Sequence, residues 1–126
     1  MAWNAYYKRL LPGRPPADLD EHRSHIRASM RRPGHARAFR KTTHSSHAPA
    51  EARLDDVRVP VLVVMGADDP DFPDPDAEAR LIADRLDAEV LMVPESGHYP
   101  QAEYPEIVAP SILEFLRGSD LAGASD

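Results

Sequence analysis

A chain of 126 residues without cysteine is long enough for one domain with its own core. It can have no disulfide framework, thiolate nucleophile or thiolate metal site. The net charge of −6 conceals two opposite halves: residues 1–53 carry 11 Lys and Arg against 4 Asp and Glu, whereas residues 54–126 carry 4 against 17.

The basic half has its arginines beside apolar helix positions and no aromatic stacking platform. This argues against a nucleic-acid partner and for a solvated face, or one that docks on the acidic half. No apolar run is long enough to cross a bilayer, and Met1–Arg9 lacks the basic start and apolar block of a signal peptide. The expectation is a soluble, cytoplasmic protein with no membrane partner.

Trp3, Tyr6, Tyr7, Leu10 and Leu11 fall at i, i+3, i+4, i+7 and i+8, one apolar helical stripe that Pro12-Gly13 ends. Leu19, Ile26 and Met30 keep helical spacing from about Ala17 to Arg32, where Pro33-Gly34 stops the second helix. A third, weaker helix centres on Ala36 and Phe39 and fades into Thr42–His47. The first fifty residues therefore predict two or three short amphipathic helices and no strand.

After a short connector carrying Leu54 and Val57, Val61 to Met65 form an unbroken apolar run. Continuous hydrophobicity predicts a strand covered on both faces, as in a parallel sheet, and Pro60 stands at its start, where a missing N–H is tolerated. Asp74-Pro75 supplies an N-cap and a first-turn proline, and Ala79, Ile82, Ala83 and Leu86 repeat at helical spacing. With Val90 to Val93 as the second strand, the segment reads as a strand-helix-strand unit with a right-handed crossover. A last helix is expected over Pro105 to Arg117, kinked by Pro110 at a cost of about 3 kcal/mol if that position is interior, followed by a flexible tail over 119–126.

Each predicted strand ends in a turn with one residue able to take part in proton transfer: Asp69 after the first, His98 after the second. Carboxyl ends of parallel strands are where ligands and catalytic groups gather. A carboxylate beside a histidine can hold the imidazole in one tautomer and stabilise its charged form. Asp68 stands next to Asp69 as an alternative acid.

Met65-Gly66-Ala67-Asp68-Asp69-Pro70 after the strand, Ser96-Gly97-His98 after the next strand, and Glu103-Tyr104-Pro105-Glu106 leading to Phe115-Leu116 resemble the C-terminal part of an α/β-hydrolase. The resemblance covers about residues 54–117. It implies a partial α/β-hydrolase fold, with two parallel strands and flanking helices over 54–118, preceded by cap-like lid helices over 1–53. It also implies hydrolysis of an ester-like bond in a small, fairly apolar substrate, with Asp69 as triad acid and His98 as general base and then acid. The family's order of nucleophile, acid, histidine along the chain is kept.

The Gly-x-Ser-x-Gly elbow is absent from these residues, as is any motif for the oxyanion hole. Ser24, Ser29, Ser45 and Ser46 lack flanking glycines, and Ser96 lies only two residues from His98. The chain alone is expected to be inactive and to need an upstream half for its substrate, or else to act as a non-catalytic interaction module or one half of a split hydrolase. Its open sheet edge predicts self-association.

Other groupings carry less. The acidic run Asp68, Asp69, Asp71, Asp74 and Asp76 lacks the glycine of a calcium loop and is stiffened by Pro70, Pro73 and Pro75, so a rigid turn with capping aspartates is expected. His22-x-x-His25 and His44-x-x-His47 have zinc-compatible spacing but no further patterned ligand, so neither a metal nor any other cofactor is expected. His47 is the histidine best placed to face a substrate pocket. Tyr6 and Tyr7 are expected to pack within the stripe rather than to polarise a substrate.

Overall fold

The computed structural model of the chain describes residues 2–119. It is a mixed α/β protein with seven α-helices and a two-stranded parallel sheet among those residues. Four helices come first: α1 (Ala2–Arg9), α2 (Leu19–Met30), α3 (His35–Thr42) and α4 (Ala48–Glu51). A single 3₁₀ turn at Leu54–Asp56 leads to β1 (Leu62–Gly66), α5 (Pro75–Leu86), β2 (Glu89–Val93), α6 (Pro100–Glu103) and α7 (Pro105–Gly118).

The strands pair in parallel with Leu62 opposite Glu89 and Gly66 opposite Val93. Parallel pairing is what an unbroken apolar run joined by a helical crossover dictates. The expected ranges hold within two residues, and α4 and α6 are short additional turns. Asp74 caps α5 as its sequence indicates, its carboxylate accepting from the Ala77 N–H at 3.0 Å with Pro75 in the first turn. At the other end Asp87 takes a left-handed conformation, φ 51°, which an Asp tolerates better than a branched residue.

α7 runs as one helix from Pro105 to Gly118 with Pro110 inside it. Both Pro110 and Glu106 are exposed, so water can meet the carbonyl that the missing N–H leaves unpaired. Ser119 remains tied to α7, its N–H and hydroxyl both bonding the Phe115 carbonyl at 2.8 and 2.6 Å. The rest of the expected tail, 120–126, lies outside the described residues.

The buried apolar side chains are few: Leu10, Leu11, Met65, Ala79, Val93 and Val108. α2, α3 and α4 contribute none. The basic half meets the acidic one at isolated points: Arg14 pairs with Glu106 and lies 4.7 Å over the Tyr104 ring, and Glu51 faces Arg85. The segment after α1 holds the helical half to the sheet. Leu10 accepts the His98 backbone N–H at 2.9 Å, and a Cβ on Gly97 would run into the Leu10 carbonyl and the Pro12 ring. Only glycine permits that approach.

Candidate active site

Asp69 and His98 meet at the carboxyl end of the sheet. β1 ends at Gly66 and β2 at Val93, and the two following turns are laced together: Ala67 N–H donates to the Val93 carbonyl at 2.9 Å and Asp68 N–H to the Ser96 carbonyl at 2.8 Å. A Cβ on Gly66 would collide with the Gly97 carbonyl, so this glycine lets the second turn close over the first. Asp69 is buried, at 4% exposure, whereas the His98 side chain is 37% exposed. His98 Nδ1 lies 2.8 Å from Asp69 Oδ2. That hydrogen bond assigns the proton of the neutral ring to Nδ1 and leaves Nε2 as the basic nitrogen.

The buried carboxylate is itself fixed. Asp69 Oδ1 accepts the Asp71 N–H at 3.0 Å, an Asx-type turn. Asp68 is exposed and joins the turn through its main chain.

A second carboxylate, not anticipated from the sequence, stands on the same imidazole: Asp71 Oδ2 is 3.5 Å from His98 Nδ1. Its other oxygen accepts a hydrogen bond from the Tyr6 hydroxyl on α1. That bond is the foremost reason the Tyr6 phenol is pushed above its ordinary range, so Tyr6 stays a donor through neutral pH. Tyr6 is thus a polar bridge as well as a member of the stripe. Its partner Tyr7 packs between the rings of His22 and Tyr99, at 5.4 and 5.6 Å, and the Tyr99 ring stands edge-on to His98 at 5.1 Å. Burial is the main cause that raises both the Tyr7 and the Tyr99 phenols.

Glu103 is the other residue that sequence reasoning missed. It is 1% exposed, its Oε1 accepts the Gly13 N–H at 2.8 Å, and its Oε2 accepts the Gly97 N–H at 2.7 Å and the Ser96 hydroxyl at 3.0 Å. One carboxylate thereby joins the segment after α1 to the turn that carries His98. Ser96 is fully buried and donates inward, an arrangement that keeps its hydroxyl from any substrate.

Ligand-type atoms of Asp69, Asp71 and His98 all lie within 4.8 Å of one another, spacing that a cation could also use. The ring atom in that group at hydrogen-bond distance to Asp69 is Nδ1, however, and it carries the proton that the 2.8 Å contact requires. Neither zinc-spaced histidine pair joins such a group among the described residues. His47 precedes α4, is exposed, and lies outside the cluster around His98.

Fold and site together define a mixed α/β protein with a carboxylate-held histidine at adjoining parallel-strand ends. Compared with protein-family models, with curated proteins and with solved structures, the chain matches none. No helix among the described residues is long and apolar enough to cross a membrane.

Proposed function

We propose that this chain is the acid-base portion of a lidded α/β-hydrolase, with residues 1–53 as lid helices and 54–118 as the last part of the core. Asp69 orients His98, and His98 Nε2 takes the proton from a nucleophile supplied upstream and returns it to the leaving group. The substrate is a small, fairly apolar molecule with an ester-like bond, met in the cytoplasm. The observation that carries this reading is the 2.8 Å bond between a buried Asp69 and a half-exposed His98 at the ends of adjacent strands.

The test is turnover of p-nitrophenyl acetate and butyrate by the chain alone and co-expressed with the upstream half of a lidded α/β-hydrolase carrying its serine elbow. The chain alone should stay at background. The pair should turn over, and Asp69→Asn or His98→Ala within it should lose about ten-thousand-fold.

A second reading, a non-catalytic interaction module, is favoured by the exposed apolar side chains of α7 and β2, among them Ile112, Leu113, Leu116 and Val90. A stable complex without turnover would decide for it.

A further inference from the structure

We propose that Asp71 is a second positioning carboxylate for His98, held in place by Tyr6, so that α1 orients the candidate base through a side-chain relay. The catalytic meaning of the relay rests on the reading of His98 as general base; the relay itself is a claim about which ring nitrogen carries the proton.

The Nδ1–H of His98 faces two carboxylate oxygens, Asp69 Oδ2 at 2.8 Å and Asp71 Oδ2 at 3.5 Å. The nearer one accepts the hydrogen bond. The farther one adds negative potential on the same side of the ring and disfavours a tautomer with its lone pair turned toward it. The Asp71 side chain is 34% exposed, and a carboxylate that open would ordinarily turn to water. Here its N–H donates to Asp69 Oδ1 at 3.0 Å and its Oδ1 accepts the Tyr6 hydroxyl.

α1 and the residue that follows it consequently hold His98 twice. The Leu10 carbonyl takes the His98 backbone N–H at 2.9 Å, and Tyr6 reaches the ring through Asp71. Arg9, 5.8 Å from the centre of the Tyr6 ring, adds a positive charge behind the phenol and stays the same in every variant below. If α1 moved away, main-chain and side-chain restraints on the histidine would be lost together, which ties the competence of the base to the seating of the helix.

The experiment is ¹⁵N NMR of the His98 imidazole in the full chain under mildly alkaline conditions, where the two nitrogen shifts report the ratio of Nδ1–H to Nε2–H tautomer. Asp71→Asn and Tyr6→Phe are near-isosteric changes at partly exposed side chains, so the fold should persist. Asp71→Asn is expected to lower the ratio at least twofold, Tyr6→Phe to lower it by less, and Tyr6→Phe to have no further effect once Asp71 is Asn. Asp69→Asn serves as the reference. If Asp69→Asn lowers the ratio and Asp71→Asn leaves it unchanged, the relay is wrong and the dyad stands. An unchanged ratio in Asp69→Asn as well would overturn both.

Discussion

The two ends of the sheet are built on different terms. Along β1 burial rises from the partly exposed Leu62, Val63 and Val64 to the buried Met65 and Gly66, and along β2 from the exposed Glu89 and Val90 to the buried Val93. At the carboxyl end Asp69, Ser96 and Glu103 are buried polar residues with hydrogen-bond partners, and no buried side-chain nitrogen or oxygen among the described residues lacks one. On the outer flank Val90, Ile107, Ile112, Leu113 and Leu116 are all more than a third exposed, and α7 buries Val108 alone. Polar groups paired in this way specify a geometry more sharply than they add stability. Apolar surface left open does the reverse, since it waits for cover that two strands cannot supply.

The largest loss of stability is expected at Glu103. Replacing Glu103 by Ala leaves the N–H groups of Gly13 and Gly97 and the Ser96 hydroxyl without their acceptor. The cost should be about 3 kcal/mol or more at 1–3 kcal/mol per orphaned group. Ser96→Ala removes one donor from the same knot and should cost only about 1 kcal/mol. Midpoints of urea unfolding measure both, and a Glu103→Ala variant as stable as the parent would mean that the knot does not hold the turns together.

Truncation within the core should cost far more than truncation on the flank. Leu10 is 1% exposed and Leu113 is 51% exposed. Leu10→Ala should therefore cost about 3 kcal/mol, whereas Leu113→Ala should stay within about 0.5 kcal/mol. Equal losses would show that the flank is covered in solution. In that case light scattering would give a mass above that of the monomer, and Leu113→Glu with Leu116→Glu would return it to the monomer and lower the unfolding midpoint.

Periodicity and local chemistry exposed most of the elements. Val61–Met65 and Val90–Val93 announced parallel strands because both are unbroken apolar runs, and Asp74-Pro75 marked the start of α5 because capping acts within one turn. Asp69 and His98 were legible for the same reason, since each follows a strand end. Glu103 was not, because an acid followed by Tyr-Pro-Glu looks like any solvated helix end, and its partners Gly13 and Gly97 are fixed only when three segments meet. Asp71 and Tyr6 are 65 residues apart, and nothing in the spacing of an apolar stripe says that one hydroxyl in it will find a carboxylate. The tolerance of α7 for Pro110 depends on which way that position faces, which packing decides. The weak burial of α2 to α4 was likewise hidden, because an amphipathic pattern states that a face wants cover and not whether the chain provides it.

The smallest expected effect is on pH dependence, and it again separates the two kinds of region. The surface pairs bind carboxylates that titrate low: the Arg85 guanidinium bonded to Asp55 holds that carboxyl below its ordinary value. Glu106 is held down first by a backbone hydrogen bond and then by Arg14. A depressed carboxylate contributes stability that is present above its unfolded value near pH 4 and fades as pH falls through the folded one. Tyr6, Tyr7 and Tyr99 move the other way, raised by the bond to Asp71 in the first case and chiefly by burial in the other two. Because the folded state keeps these protons longer, their contribution is whole below the unfolded value near pH 10 and is lost as pH climbs through the folded ones. The depressed carboxylates should therefore lower the unfolding midpoint below about pH 4 and the raised phenols should lower it above about pH 10. Arg85→Ala should remove part of the acid limb alone, since exposed pairs contribute little to the total. Tyr6→Phe should flatten part of the alkaline limb and leave the acid limb as it was. An alkaline limb unchanged in that variant would place the relevant phenols at Tyr7 and Tyr99, within the aromatic packing rather than at the bridge from α1 to His98.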